Sequence, residues 1–236
     1  MLGESMDDYY ARLNLEGDRN ILKANRNKID YVLNKYDKIL TSPKKVCDIG
    51  LGEGYALEML YKKGLEVTGI DHSKYLITFL KNRYVDLDMD INLILSDIQK
   101  LETNSGQYDI VTCFDVLEHI PKDGLNATIK KISELSKQNG CLIGTLPFKE
   151  NLEEGMVKCP NCGHNFHRVG HFHSFNNIED INIMLDPYFE VIEYGSVPPK
   201  GVIRKTISVA KKIKSRLSNT MVKSTIYFIA QKKTRK

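Results

Sequence analysis

Apolar positions along the chain alternate between two spacings. From residue 7 to residue 40 they fall at helical intervals: Ile21, Ile29, Val32, Leu33, Tyr36 and Leu40 share one side, and Ser42-Pro43 closes the segment. Short apolar runs and amphipathic runs then take turns. Val46 to Ile49 reads as a first strand, followed by a helix with Ala56, Leu57, Met59 and Leu60 inward. A second strand over 65–71 precedes a helix over 74–85 with Tyr75, Leu76, Phe79 and Leu80 inward. A third strand covers 91–97. Tyr108 to Phe114 is nearly continuously apolar, as a parallel strand covered on both faces should be. A helix over 122–137 carries Leu125, Ile129, Ile132 and Leu135 on one face, and Asn139-Gly140 ends it. A fifth strand covers 141–147. Asn177 caps a short helix over 178–185, a sixth strand covers 189–197, and 225–231 alternates as a last strand. Four strand–helix units followed by a strand specify an α/β, doubly wound Rossmann-like parallel sheet.

The first turn carries the chemistry. Asp48 ends the first strand, and Gly50, Gly52 and Gly54 follow at alternate positions before the helix. Glycines of this kind let a ligand lie on bare backbone beside free helix N–H groups. The dinucleotide pattern G-x-G-x-x-G would need glycine at position 55, which is Tyr55, so a nicotinamide-dependent dehydrogenase is disfavoured. A plain structural turn is the other reading. Asp71 ends the second strand 21 residues past Gly50 (71 − 50), where a carboxylate can accept two ribose hydroxyls or cap the next helix, as Ser73 also can. Ser96-Asp97 ends the third strand. Asp115, Glu118, His119 and Pro121 follow the fourth, at the sheet edge where open α/β folds bind ligands.

The pattern D-x-G-x-G-x-G resembles motif I of the class I S-adenosylmethionine (SAM) methyltransferases, and F-D-V-L-E-H-I-P at 114–121 is similar to the segment after the fourth strand in ubiquinone-type members. The resemblance covers about residues 44 to 230. It implies a seven-stranded sheet of order 3-2-1-4-5-7-6 with the last strand antiparallel, SAM as methyl donor, and residues 1–43 as a helical cover over the cofactor in a single domain of 1–236. By position it implies cofactor contacts from Asp48, Gly50, Gly52, Gly54, Asp71, His72, Asp97, Ile98, Phe114 and Glu118. His119 is the candidate base for an oxygen acceptor, with a histidine of the following insertion as the other choice.

Residues 148–175 form an insertion with the order Cys159-x2-Cys162-x4-His167-x3-His171 and further histidines at 164 and 173. Two thiols on a Pro/Gly knuckle and two histidines suit a tetrahedral structural zinc. A redox pair and a chance histidine-rich loop are the other readings. The gap between cysteines and histidines leaves no room for a recognition helix. The stretch resembles that of a subgroup of bacterial and archaeal SAM methyltransferases with C-P-x-C-G-x-x-F-H-x-x-G-H-x-x-S-F, which implies Cys159, Cys162, His167 and His171 as ligands, with the knuckle walling the acceptor pocket together with residues 147–151. Cys47, Cys113 and Cys141 lie in strand-like runs and read as small buried apolar groups.

Charge is uneven. The net charge is +4, yet no acid follows Glu193 and 12 of the 34 Lys and Arg lie beyond it, so the first 193 residues carry 22 basic and 30 acidic groups, −8 in all. Within residues 198–222, the stretch 202–222 reads as a basic amphipathic helix, suited to an anionic membrane or an anionic acceptor, or else a solvated basic face. The acidic N-terminus has no apolar core of a signal peptide and no run is long enough to cross a membrane, which predicts a cytoplasmic protein, docked at the inner membrane surface if the basic helix binds lipid.

Three functions fit these features. The first is methyl transfer to an O or N of a small-molecule, glycan or lipid-linked acceptor. The second is RNA methylation with a divalent metal, because Asp115-x-x-Glu118-His119 is close to the E-x-x-E-H of small-RNA 2′-O-methyltransferases apart from its first acid. The third is a non-catalytic SAM- and zinc-binding module that engages nucleic acid through the basic tail.

Overall fold

A computed structural model describes residues 12, 15–16, 19–41, 44–102, 105–198 and 224–234. Helix α1 (Arg19–Lys35) precedes β1 (Lys45–Ile49), α2 (Tyr55–Lys62), β2 (Glu66–Asp71), α3 (Lys74–Asp86) and β3 (Asn92–Leu95). Strand β4 (Tyr108–Phe114), α4 (Lys122–Leu135) and β5 (Ser136–Phe148) follow. The insertion contains β6 (Met156–Lys158) and β7 (Asn165–His167). Helix α5 (Ile178–Leu185), β8 (Phe189–Ser196) and β9 (Ser224–Lys232) complete the chain.

The sheet order is β3-β2-β1-β4-β5-β9-β8, with β9 antiparallel to both neighbours. This is the expected 3-2-1-4-5-7-6 arrangement, the insertion hairpin adding two strand numbers. Strand residues sort by period two onto two cores, as the pleat requires. Cys47, Val111, Leu142 and Phe228 face one side with Ile129, Ile132 and Leu135 of α4 and Ile181 and Leu185 of α5. Val46, Ile110, Ile143 and Ile229 face the other with Leu57 and Leu60 of α2 and Leu76, Ile77 and Leu80 of α3. Val32 and Leu33 of α1 join this second core, so the N-terminal helix is packed onto the sheet domain.

Several boundaries differ from the sequence reading. Strand β5 begins at Ser136, where the fourth helix was expected to continue. Ser136 pairs with Tyr108, and the ladder shifts register before resuming at Ile110 opposite Cys141. Asn139, at φ 64°, takes the left-handed conformation inside this irregular stretch and does not end a helix. On α1 the inward side is Val32 and Leu33, while Ile21 is 61 % exposed. On α3, Tyr75 and Phe79 are half-exposed, and Leu76, Ile77, Leu80 and Tyr84 do the packing. Asn177 caps α5 with a full capping box to Asp180. Ser42-Pro43 and the basic stretch 202–222 lie outside the described residues.

Candidate functional site

The first turn forms because its three glycines adopt φ of 71°, 52° and 81° at Gly50, Gly52 and Gly54. Each conformation costs a residue with a Cβ about 1–2 kcal/mol. Space separates their roles. A Cβ on Gly50 would stand 2.5 Å from Val116 Cγ2, and one on Gly54 would stand 2.5 Å from Tyr84 Oη and 2.6 Å from Leu80 Cδ2. Among the described residues, a Cβ on Gly52 would meet nothing within 4 Å. Gly50 and Gly54 are therefore required by packing, whereas Gly52 turns bare backbone toward an open face.

Asp71 braces this turn. Its Oδ2 accepts from the Leu51 N–H at 2.9 Å and its Oδ1 accepts from the Ser73 N–H at 2.8 Å. The carboxylate thereby joins the glycine turn to the start of α3, where Ser73 Oγ caps Leu76 N–H. Of the two candidate caps, Ser73 caps the helix, and Asp71 ties the two loops together. His72 projects from the end of β2, its side chain 58 % exposed. Asp48 is buried beneath the turn and accepts from Thr112 Oγ1 at 2.6 Å. Burial raises its pKa to about 7, against the hydrogen bond from Thr112.

At the neighbouring strand ends, Asp97 Oδ1 accepts from Gln99 N–H at 2.9 Å while its side chain stays 40 % exposed, and Ile98 is buried beside it. Phe114 ends β4 half-buried. Asp115 adopts φ 52°. Its N–H donates to Thr145 O, its Oδ1 accepts from Thr145 Oγ1 at 2.8 Å, and its Oδ2 pairs with Lys28 of α1. Helix α1 makes two more polar ties to this edge, Arg26 with Glu53 and Asp30 with the Tyr55 hydroxyl, the latter at 2.7 Å. Glu53, Tyr55 and Asp115 all lie at the carboxyl ends of β1 and β4, so α1 lies along the edge where the glycine turn opens.

Glu118 is 1 % exposed, and its Oε2 has no hydrogen-bond partner among the described residues. Burial first, and then Asp115, push its carboxyl well above the usual range. His119 is exposed at its edge but crowded by the insertion. Desolvation by that crowding, then His171, lower its pKa to about 4. At that value the imidazole is neutral at pH 7.

The insertion does not bring the four expected zinc ligands together. Strands β6 and β7 form a hairpin in which Met156 opposes His167 at the base and Lys158 opposes Asn165 near the tip. Cys159 and Cys162 occupy the tip, where Cys159 N–H donates to His164 O and sulfur–backbone hydrogen bonds lower the Cys159 pKa. At about 3.4 Å per residue, the three steps from Met156 to Cys159 separate base from tip by about 10 Å. His167 and His171 instead turn inward. His167 is 7 % exposed, packs on Gly155, and stacks on His171 with ring centroids 5.0 Å apart. Ligand atoms of Glu150, His167 and His171 lie within 4.8 Å of one another, as do those of Glu118, His119 and His171. Neither group contains a cysteine.

Backbone hydrogen bonds lock the insertion in place. Phe172 N–H donates to Glu118 O at 2.7 Å, and Lys149 N–H donates to Phe175 O at 2.8 Å. Sequence reasoning placed Glu150 only within a span expected to face an acceptor and did not single out its carboxylate. It also overlooked Arg26, Lys28 and Asp30. Acids and bases on an exposed helix carry no spacing signal, and only the fold sets them against Glu53, Asp115 and Tyr55.

Residues 46–140 match the family model described as a methyltransferase domain. Over 105 residues the chain is 37 % identical to a ubiquinone biosynthesis O-methyltransferase of Coxiella burnetii, covering 44 % of each chain. Over 128 residues it is 34 % identical to the Vibrio campbellii protein of the same name, covering 53 % of each. The chain thus spans about half the length of the curated relatives it matches. A SAM-dependent methyltransferase from Methanosarcina mazei superposes with a TM-score of 0.62 over 84 % of this chain and 96 % of that one, at 19 % identity. The sheet order and the antiparallel last strand agree with that fold, and residues 46–140 are similar to a methyltransferase domain.

Proposed function

We propose that the protein transfers a methyl group from SAM to an oxygen or nitrogen of a small-molecule acceptor. The observation that carries this reading is the open backbone face at Gly52, braced by Asp71, within the matched domain. The site suits SAM: a cradle that a Cβ at Gly52 would fill, and carboxylates at the ends of three adjacent strands. Gly50, Gly52 and Gly54 would take the methionine part, with Asp48 beneath the turn. Asp71 would take the ribose on the lone pairs its two N–H donors leave, with His72 alongside. Asp97 and Ile98 would flank the adenine, and Phe114 and Glu118 would bound the sulfonium side. When bound, SAM supplies an electrophilic methyl on a positively charged sulfur. The chain's contribution is to hold donor and acceptor in line and exclude water, and positioning of this kind supplies much of a transfer enzyme's acceleration.

The acceptor would enter between α1 and the insertion. The oxygen chemistry named for the ubiquinone-pathway relatives favours a small acceptor over a nucleic acid strand. A lipid- or glycan-linked acceptor would add a role for the basic stretch 202–222 at an anionic membrane surface.

Calorimetric titration with SAM, followed by transfer from radiolabelled SAM into fractionated cell extract, tests the reading. Saturable SAM binding and label in a small-molecule or lipid fraction, both lost in Asp71→Ala, are expected. Label confined to RNA would overturn the acceptor class. Absence of SAM binding to the folded protein would overturn the function.

A further inference from the structure

We propose that Lys28 of α1 holds the acceptor as an oxygen anion, a role that rests on the methyltransferase reading and makes the acceptor an acidic hydroxyl or a carboxylic acid, not an amine. Lys28 reaches the carboxyl end of β4, where its Nζ pairs with Asp115 Oδ2 from 87 residues away. The pair is part-buried: the Lys28 side chain is 21 % exposed and that of Asp115 is 28 % exposed. An ammonium carries three N–H donors and no acceptor. Among the described residues Asp115 alone accepts from Lys28, so donors are left over at the rim of the cleft. The charge of Lys28 also acts on Glu118, where it opposes the rise that burial and Asp115 impose on that carboxyl. Its field thus reaches both acids that follow β4.

Helix α1 does not depend on this pair for its position. Arg26 and Asp30 tie it to Glu53 and Tyr55 on either side of Lys28, and Val32 and Leu33 lie in the core. Asp115, by contrast, is set up to hold an ammonium. It stands at φ 52°, an uncommon conformation for a residue with a Cβ. Its N–H on Thr145 O and its Oδ1, which accepts from Thr145 Oγ1 at 2.8 Å, keep it there. Backbone strain of this kind persists where the surroundings fix it, and it clusters at working sites.

This pairing decides the charge of the acceptor. Both oxygens of Asp115 are engaged, one by Thr145 and one by Lys28, so its carboxylate is not free for a cationic amine. What the rim offers is donors on a positive centre. A positive group within about 4–6 Å of an acid lowers its pKa by about 1–3 units, so a hydroxyl beside Lys28 ionises closer to neutral pH. The hydroxyl proton leaves to solvent. An oxygen lone pair forms the new O–CH₃ bond as the S–CH₃ bond breaks, and the electron pair of the broken bond returns to sulfur.

The test uses the full chain saturated with S-adenosylhomocysteine, with para-nitrophenol as the oxygen probe and para-nitrobenzylamine as an amine probe of similar size. Absorbance reads the ionisation of bound para-nitrophenol, and calorimetry reads the affinity for S-adenosylhomocysteine itself. The parent should bind para-nitrophenol as its anion, with a pKa at least about one unit below that of the free probe, and should bind the amine at least about tenfold more weakly. Lys28→Met should weaken para-nitrophenol binding at least about tenfold and abolish the pKa shift, while affinity for S-adenosylhomocysteine stays within about threefold. Lys28→Arg, which keeps the charge, and Arg26→Met, which cuts a different tie of the same helix, should both keep the shift. The assignment would be overturned if para-nitrophenol fails to bind the parent or binds with an unshifted pKa, if the amine binds as tightly, or if the shift survives in Lys28→Met. Loss of the shift in Arg26→Met, or of S-adenosylhomocysteine affinity in Lys28→Met, would overturn it too, by showing that only the position of the helix matters. Absence of S-adenosylhomocysteine binding to the folded parent would overturn the methyltransferase reading and this role with it, so the two failures give different results.

Discussion

Replacing Asp71 with asparagine removes one oxygen acceptor and installs an N–H₂ group in its place. Both carboxylate oxygens are engaged by backbone donors, Leu51 N–H at 2.9 Å and Ser73 N–H at 2.8 Å. Whichever way the amide turns, its nitrogen faces one of those N–H groups. One hydrogen bond to a charged acceptor is lost, worth about 1.5–3 kcal/mol, and a backbone donor is left facing another donor. In a chain of 236 residues each kcal/mol shifts the melting temperature by about 2–4 °C, so the ligand-free variant should melt about 3–12 °C lower. Scanning calorimetry without ligand reads the bracing role, and calorimetric titration with S-adenosylhomocysteine reads the ligand role. Affinity should fall by more than about tenfold, because the ribose acceptor and the set of the glycine turn change together. A melting temperature within about 1 °C of the parent would refute the bracing argument. An unaltered dissociation constant would refute the ribose assignment even if stability fell.

The glycines should separate by what surrounds them. Gly50→Ala and Gly54→Ala add a clash with Val116 or with Leu80 and Tyr84 to a left-handed backbone and should cost more than about 2 kcal/mol in urea unfolding. Gly52→Ala should cost only the backbone strain, about 1–2 kcal/mol, and yet lose cofactor affinity; equal stability loss at all three positions would contradict the assignment of Gly52 to the open face. Asp48 gives a pH signature. Its folded pKa of about 7 exceeds the unfolded value of about 3.9, so the folded state binds the extra proton. The stability it contributes is fully present below about pH 4 and is lost as pH rises through about 7. Asp48→Asn should therefore gain on the parent from pH 5 to 8, by up to about 4 kcal/mol for three pKa units, and parallel pH–stability curves would rule this out.

The sheet was readable because parallel strands and amphipathic helices carry strong periodic signals, and because each buried strand supplies residues to both cores. Asp48, Gly50 and Asp71 were readable because turn chemistry leaves fixed residue types at fixed spacing. The failures have a common cause. Cys159, Cys162, His167 and His171 satisfy a metal spacing along the chain, but a three-pair hairpin carries the cysteines to its tip and the histidines to its base. Spacing cannot report which way a hairpin folds over. Glu150 and Lys28 were silent because their partners lie 21 and 87 residues away. The start of β5 was misplaced because Ser136 to Gly140 sits where a helix end and an irregular strand use the same residues, Asn and Gly.

Helix α1 holds the rim of the cleft through three polar ties, Arg26 to Glu53, Lys28 to Asp115 and Asp30 to Tyr55, while Val32 and Leu33 fix its far end in the core. The helix is thus anchored by oil at one end and by charge at the other. Ions in solution weaken the second kind of attachment and leave the first intact. Because these ties are part-buried, salt should weaken them less than exposed pairs, and added salt is expected to loosen the polar end of the helix before the apolar end.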